Sequence, residues 1–193
     1  MRKGVSIRKT NETDIKLSIE LDSQKPSRIN TGIGFFDHML TLFAFRAGIS
    51  LTLDCHGDIQ VDGHHTVEDV GICLGQAITE ALGDKSGISR YGTAWIPMDE
   101  ALVQCVMDIS GRGFLVFNAD YPSPVVGGFE TELTEEFFRA LTHNAGITLH
   151  INLSYGRNTH HIIEAMFKAL GCAFAEAIKK TGLKTPSSTK GIL

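Results

Sequence analysis

Several features that mark other classes of protein are missing from this chain of 193 residues. No apolar run approaches the roughly 18–20 residues that a membrane-spanning helix needs. Residues 1–10 are polar and lack the apolar stretch of a secretory signal. The net charge of −4 provides no broad basic surface, which disfavours a nucleic-acid partner. We therefore expect a cytoplasmic protein without a membrane segment.

Cysteine is also scarce. The chain has four cysteines, and no two of them are spaced as in a CxxC motif. A chain of this length can bury a core without disulfide bonds. We expect reduced, mostly buried thiols at all four positions: Cys55, Cys73, Cys105 and Cys172.

The chain does contain an internal repeat. The segment AGISLTL (47–53) resembles AGITLHI (145–151), and HHTVEDVGICLGQA (64–77) resembles HHIIEAMFKALGCA (160–173). The two copies lie about 96 residues apart, a spacing too long for a solenoid repeat. We interpret them as two copies of one half-domain, with 42% hydrophobic residues available for a shared core.

Each copy shows the same predicted order of elements, β-β-α-β-α. Strands follow from alternating apolar residues and helices from a 3.6-residue period, with Thr134 as an N-cap and Gly83 as a C-cap. Two strands before a helix favour an α+β fold with helices on one face of mainly antiparallel sheets. The predicted half-domains are 1–91 and 92–183, followed by a tail at 184–193. The predicted strands are 5–7, 15–21, 49–55, 93–96, 102–109 and 147–153, and the helices are 35–45, 64–82, 134–143 and 159–180.

The repeated motif His-His-x-x-Glu suggests metal binding. On a helix, His64 and Glu68 lie on one face because they are four residues apart, whereas His65 is turned by about 100°. The second copy repeats this pattern at 160, 161 and 164. This arrangement suggests two metals. Each would be held by the first His and the Glu of one helix and by the second His of the other helix. Imidazole and carboxylate ligands without thiolate suit Mn, Fe, Co or Zn.

Further ligands are expected from the first helix of each half. His38 stands there in the first half, and Glu135 and Glu136 stand at the corresponding place in the second. His38 is the better candidate, since imidazole is a common ligand of these metals. The remaining isolated histidines, His56, His143 and His150, are interpreted as surface or structural residues.

Three basic residues have glycine or serine neighbours that would let an anion approach the backbone: Arg90, Arg112 and Lys190. Small neighbours expose N–H groups while the guanidinium or ammonium group supplies charge. Each of them is also compatible with an ordinary solvated surface.

Six segments together resemble the imidazoleglycerol-phosphate dehydratase family, in the family's order and over nearly the whole chain. They are FFDHML (35–40), DGHHTVEDVGICLG (62–75), MDEAL (98–102), ISGRG (109–113), NTHHIIEAMFKALG (158–171) and the PSS–K–G tail (186–191). The resemblance implies a hydro-lyase of histidine biosynthesis that converts imidazole glycerol phosphate into imidazole acetol phosphate. It also implies two Mn²⁺ ions per active site, a cytosolic location, and a homo-oligomer of twenty-four subunits with sites between subunits.

The resemblance assigns the metal ligands by motif. One ion would take His38, His65, His160 and Glu164. The other would take His64, Glu68, His161 and a residue of the second-half helix. Many family members have His in a VEHFF segment there, whereas this chain reads Thr-Glu-Glu-Phe-Phe, so the corresponding residue is Glu136.

The resemblance also assigns the substrate contacts. The phosphate site corresponds to Arg90, Arg112 and the tail from Ser188 to Lys190, which would lie over the active site. Lys168 is a further candidate for substrate binding. Glu12 corresponds to a substrate-contacting acid of the family and, with Asp99 and Glu100, is a candidate acid or base. Glu68 and Glu164 are counted as catalytic candidates as well as ligands.

Two other functions use similar residues. A dinuclear metal phosphoesterase also needs His, Glu and basic residues, but its metals would be bridged at roughly 3.5–4 Å. A non-catalytic metal-binding protein would not require Arg90, Arg112 and Lys190 together.

Overall fold

The computed structural model describes residues 1–23, 25–183 and 185–191. The first half contains β1 (Lys3–Lys9), β2 (Thr13–Glu20), β3 (Arg28–Asn30), α1 (Gly34–Ala47), β4 (Ser50–Gly57) and α2 (His64–Leu82). The second half contains β5 (Tyr91–Met98), β6 (Ala101–Asp108), β7 (Phe114–Asn118), β8 (Val125–Val126), β9 (Phe129–Glu130), α3 (Leu133–Ala145), β10 (Thr148–Tyr155) and α4 (Thr159–Ala177).

The strands form two four-stranded sheets of identical topology, ordered β1-β2-β4-β3 and β5-β6-β10-β7. In each sheet the first three strands pair antiparallel, and the fourth, β3 or β7, pairs parallel to its neighbour. Strands β8 and β9 form a separate hairpin. The α+β class and the mainly antiparallel pairing are confirmed. The half-domain boundaries at 91 and 183 stay a prediction.

The predicted order missed the two parallel edge strands, β3 and β7. Strand β3 has three residues, too few to show an alternating pattern. Strand β7 has three partly buried residues in a row, so it lacks the alternation of a strand with one buried face. Each strand is defined by its pairing with a later strand, β3 with β4 and β7 with β10. A helix lies between the two partners in the chain, so local sequence does not reveal the contact.

Two helix ends also differ from the prediction. Helix α3 begins at Leu133 with Glu132 as the N-cap, so Thr134 lies inside the first turn and does not cap it. Helix α4 ends at Ala177 and not at residue 180, because Lys180 pairs with Ile88 in an isolated β-bridge. Gly83 is confirmed as a C-cap, with φ of 58°.

The helices form the interior of the molecule. Helices α1 and α2 pack on the first sheet, α3 and α4 pack on the second, and the two helix layers meet as the pairs α2–α3 and α1–α4. Six phenylalanines fill the space between the sheets, all of them buried: Phe36, Phe43, Phe137, Phe138, Phe167 and Phe174. Among the described residues, no helix combines the length and apolar character needed to cross a membrane. The pairing of helices across the two halves brings the histidine motifs next to α1 and α3.

The helix–sheet contact is closest at two equivalent glycines, Gly4 and Gly92. A Cβ on Gly92 would lie 1.9 Å from the carbonyl oxygen of Ala173, and one on Gly4 would lie 1.9 Å from that of Ala77. We expect Gly92→Ala to lower the free energy of unfolding by about 1–3 kcal/mol or more, because strand and helix must separate. Denaturant unfolding measures this. Gly34→Ala is the control, since its Cβ would have no neighbour within 4 Å; equal midpoints for both variants would contradict the close contact.

Candidate active site

One cluster of metal-ligating groups lies where α1 meets the first turn of α4. The Oε2 atom of Glu164 is 3.1 Å from Nε2 of His160 and 3.7 Å from Nε2 of His38. The three donor atoms lie within 4.8 Å of one another, which no other group of three or more such side chains achieves in the described part of the chain. Two imidazoles and one carboxylate, with no thiolate, suit a first-row divalent metal. The donor set therefore fits the expected ion.

Local sequence places two of these ligands. Asn158 caps α4, and its side chain accepts hydrogen bonds from the backbone N–H groups of His160 and His161. The helix therefore begins immediately before the motif, and the four-residue spacing sets His160 and Glu164 on one face. The third ligand, His38, is brought in by the packing of α1 on α4.

Glu164 is held from its other side by Lys168. The ammonium group of Lys168 lies 2.5 Å from Oε1 of Glu164, which leaves Oε2 for the histidines. Burial alone raises the pKa of the Glu164 carboxyl, but the hydrogen bond and charge of Lys168 outweigh it, and the pKa lies below its ordinary value. Lys168, a predicted substrate-binding residue, contacts a candidate metal ligand within this chain.

The second histidine of the motif, His161, points to a different pair of carboxylates. Its Nδ1 is 2.7 Å from Oε2 of Glu100, and its Nε2 is 3.9 Å from Oδ2 of Asp99. Glu100 also accepts hydrogen bonds from the N–H groups of Arg157 and Asn158. These contacts, with His161 foremost, lower the pKa of Glu100 to about 2, and Glu100 raises that of His161. Glu100 thus orients the ring and is a weak base near neutral pH.

The first half repeats this arrangement at the start of α2. Nε2 of His64 faces Oε2 of Glu68 at 3.9 Å, while Nδ1 of His65 lies 3.1 Å from Oδ2 of Asp58. The hydrogen bond to Asp58 raises the pKa of His65. Nε2 of His65 faces Oε1 of Glu12 at 3.8 Å. Such carboxylate–histidine contacts fix the ring orientation of metal ligands.

Asp58 is a residue that the sequence reasoning missed. It precedes α2 by six positions, and its one visible signal was an acidic side chain in the loop before the histidine motif.

The predicted ligand sets are not complete within one chain. Glu136 lies on α3, which packs against α2 as α1 packs against α4, but its carboxylate is 3.8 Å from Arg139. Among the described residues, the donors of Glu136, His64 and Glu68 do not form a group within 4.8 Å, and His65 does not join the His38 cluster.

The predicted anion-binding residues do lie together. Arg90, Arg112 and residues 187–190 line one surface cavity of about 620 Å³ with Tyr91 and Ser110. The Arg112 side chain is exposed and follows Gly111, whose φ is 80°. In the described residues, no carboxylate forms a salt bridge with Arg112 or Lys190. Both cations are therefore available to an anion.

Arg90 holds the tail beside this cavity. Its guanidinium donates to both oxygens of Asp108, at 2.7 and 3.1 Å, and to the carbonyl oxygen of Ser187 at 2.7 Å. Pro186 adds a β-bridge to Ser86. The described part of the tail, 185–191, is docked and not frayed; residues 184, 192 and 193 lie outside the described residues.

The cavity and the metal cluster lie at opposite ends of α4. The N–H of Arg90 donates to the carbonyl oxygen of Ala177, the last residue of the helix, whereas His160 lies in its first turn. At 1.5 Å per residue, these two points are separated by about 25 Å.

Comparison with known proteins shows the family. Residues 31–174 match the family model for imidazoleglycerol-phosphate dehydratase. The chain is 56% identical to the imidazoleglycerol-phosphate dehydratase of Streptococcus sanguinis and 55% identical to that of Bacillus anthracis, with 100% of each chain covered.

Solved structures of the same enzyme share the fold. The crystal structure of imidazoleglycerol-phosphate dehydratase from Staphylococcus aureus has a TM-score of 0.85 and 49% identity, covering 93% of this chain and 99% of the other. That of the Pyrococcus furiosus protein, in complex with (S)-C348, has a TM-score of 0.85 and 38% identity, with 97% and 100% covered.

The duplicated α+β fold, which solved dehydratase structures share, and its candidate His/Glu metal cluster together identify a metal-dependent lyase. The chain belongs to the imidazoleglycerol-phosphate dehydratase family. It is a hydro-lyase of histidine biosynthesis that dehydrates imidazole glycerol phosphate, a small molecule. The predicted family and activity are confirmed, which sets aside the phosphoesterase and the non-catalytic metal-binding protein.

Proposed function

We propose that each active site of this hydro-lyase is assembled from more than one copy of the chain and uses two Mn²⁺ ions. The observation that carries the proposal is the separation of about 25 Å between the metal cluster and the phosphate cavity along α4. One imidazole ring with a three-carbon phosphate chain is much shorter than this. A substrate that contacts both sites must therefore lie between the cluster of one copy and the cavity of another.

His38, His160 and Glu164 would hold one ion, and His64, Glu68 and Glu136 would contribute to the other. His65 and His161 would complete the sets in neighbouring copies, since a carboxylate of the same chain holds Nδ1 of each ring and leaves Nε2 as the donor atom for a metal. When bound, such ions act as Lewis acids that stabilise negative charge on the imidazole ring. Imidazole and carboxylate donors fit Mn²⁺, and the choice of Mn²⁺ among the first-row divalent metals follows the family resemblance.

The chain's own groups would handle the protons and the phosphate. Dehydration removes a proton from one carbon of the side chain and a hydroxyl group from the next, and the resulting enol becomes the ketone of imidazole acetol phosphate. Glu12 and Asp99 each place a carboxylate within 4 Å of a histidine Nε2, where they could carry that proton. Arg112, Ser188 and Lys190 would hold the phosphate and so position the reacting carbons.

The remaining expectations follow from family resemblance alone. We propose a homo-oligomer of twenty-four subunits in the cytoplasm. The role of Arg90 is a separate proposal: it would act on the phosphate indirectly, because its guanidinium holds Ser187 of the tail.

Subunit complementation tests the shared site. We expect His160→Ala and Arg112→Ala chains to have little activity as separate homo-oligomers and to recover activity when co-expressed. The reason is that a mixed oligomer contains sites in which an intact cluster faces an intact cavity. Dehydratase activity is measured on particles purified through a different affinity tag on each chain.

The control pairs His160→Ala with Glu164→Gln, which damage the same cluster and should restore nothing. Co-purified mixed particles that stay as inactive as their parents would contradict a site built from two copies.

A further inference from the structure

A partly buried ion pair lies next to the histidine motif in the first half, between the buried carboxylate of Asp69 and the half-buried side chain of Arg8. The Asp69 side chain is 8% exposed, and its Oδ1 is 2.8 Å from Nε of Arg8. Its other oxygen, Oδ2, accepts a hydrogen bond from the hydroxyl of Thr13 at 2.6 Å. Asp69 follows the candidate ligand Glu68 directly, but it is buried and contacts β1 and β2.

The second half has no such group. The close contacts of Gly4 with Ala77 and of Gly92 with Ala173 set the correspondence between the halves. By that correspondence, three apolar residues replace Arg8, Thr13 and Asp69: Ile96, Ala101 and Ala165. Apolar packing of similar volume is often as stabilising as a buried ion pair, and exposure of one partner weakens such a pair further. Stability alone therefore does not explain why the first half carries these charges.

The buried carboxylate is connected to the turn that carries Glu12. Thr13 is the first residue of β2, directly after this turn. The hydroxyl of Thr10 accepts hydrogen bonds from the N–H groups of Glu12 and Thr13, at 3.1 and 3.0 Å. The carbonyl oxygen of Glu12 accepts from the N–H of Asp58 at 3.1 Å. The backbone of Glu12 is thus held on both sides.

We propose that Asp69, acting through Thr13, is a positioning residue that holds the Glu12 carboxylate beside Nε2 of His65. The inference rests on the proposed role of Glu12 as an acid or base. The turn that carries Asp99 and Glu100 in the second half lacks this anchor, because Ala101 and Ala165 stand there in place of Thr13 and Asp69.

The test removes one hydroxyl group. Thr13→Val keeps the shape of the side chain but cannot donate to Asp69, whereas Thr13→Ser keeps the donor. We expect kcat to fall by about 10- to 100-fold in Thr13→Val, since small displacements of a catalytic group are costly. KM, bound metal and particle size should stay within twofold of the unmodified protein, and Thr13→Ser should restore most of kcat. Thr52→Val, an exposed position on β4, is the matched control and should retain full activity.

A double variant decides whether Thr13 acts through Glu12. Glu12→Gln combined with Thr13→Val should be no slower than Glu12→Gln alone, because residues acting as one unit are not additive. Multiplicative losses, or a Thr13→Val protein with normal kcat beside a slow Glu12→Gln protein, would overturn the positioning role. Normal turnover by Glu12→Gln would instead show that the proposed role of Glu12 is wrong, and this inference would fall with it.

Discussion

Replacing His160 by alanine is expected to abolish dehydration, and replacing His64 should do the same. Each change removes one imidazole from a different proposed metal site, and the proposed mechanism requires both ions on one ring. In the structure, His160 contributes one of the three donors that lie within 4.8 Å of one another, so its loss leaves His38 and Glu164 as an incomplete set. We expect activity to fall by at least about 1,000-fold, since loss of a group that only orients a metal ligand already typically costs 10- to 100-fold.

Activity assays at saturating Mn²⁺, together with metal analysis of the purified variants, measure this effect. His56→Ala is the control, because His56 lies on an exposed strand position and contacts Asp54 at 3.5 Å, away from the cluster. It should retain normal turnover. If either His160→Ala or His64→Ala kept near-normal turnover, the scheme with two metals would be wrong.

Replacing Arg112 by alanine should lower kcat/KM by about 10- to 100-fold or more. A charge-assisted hydrogen bond contributes roughly 1.5–3 kcal/mol, and each 1.36 kcal/mol corresponds to a factor of ten. Arg112 is exposed and lines the surface cavity beside the tail. It forms no salt bridge within the described residues, so its full charge is available to phosphate. Bound metal should not change, because Arg112 belongs to none of the proposed ligand sets.

Steady-state kinetics and metal analysis of the same preparation separate these effects. A chain that ends at residue 185 should show a similar loss, since Ser187 and Ser188 line the cavity and Arg90 anchors Ser187. Arg28→Ala, an exposed arginine of the edge strand β3, is the matched control. Full activity of both Arg112→Ala and the shortened chain would refute phosphate binding in this cavity.

Most regular elements of the fold could be predicted from the sequence, because they depend on local periodicity. The alternation in β2 buries Ile15, Leu17 and Ile19, and the 3.6-residue pattern of α2 ends at Gly83 as expected. Strands β3 and β7 could not be predicted, since their parallel pairing depends on β4 and β10. The end of α4 was likewise decided by a distant segment, through the bridge between Lys180 and Ile88.

The sequence by itself determined the chemistry available to this protein. Two His-His-x-x-Glu motifs at helix starts set one His and one Glu on a common face, because helical geometry alone relates positions four apart. The motifs in order along the chain also determined the family. These properties depend on neighbours in sequence and therefore need no knowledge of packing.

The tertiary structure decided which of these groups can act together. The packing of α1 on α4 brings His38 to His160 and Glu164, and Asp58 reaches His65 from a loop that carries no motif. The Arg90 guanidinium forms hydrogen bonds with Asp108 and with the tail. The metal cluster and the phosphate cavity of one chain lie at opposite ends of α4. Such contacts join residues far apart in sequence, so burial and packing determine them and local periodicity does not.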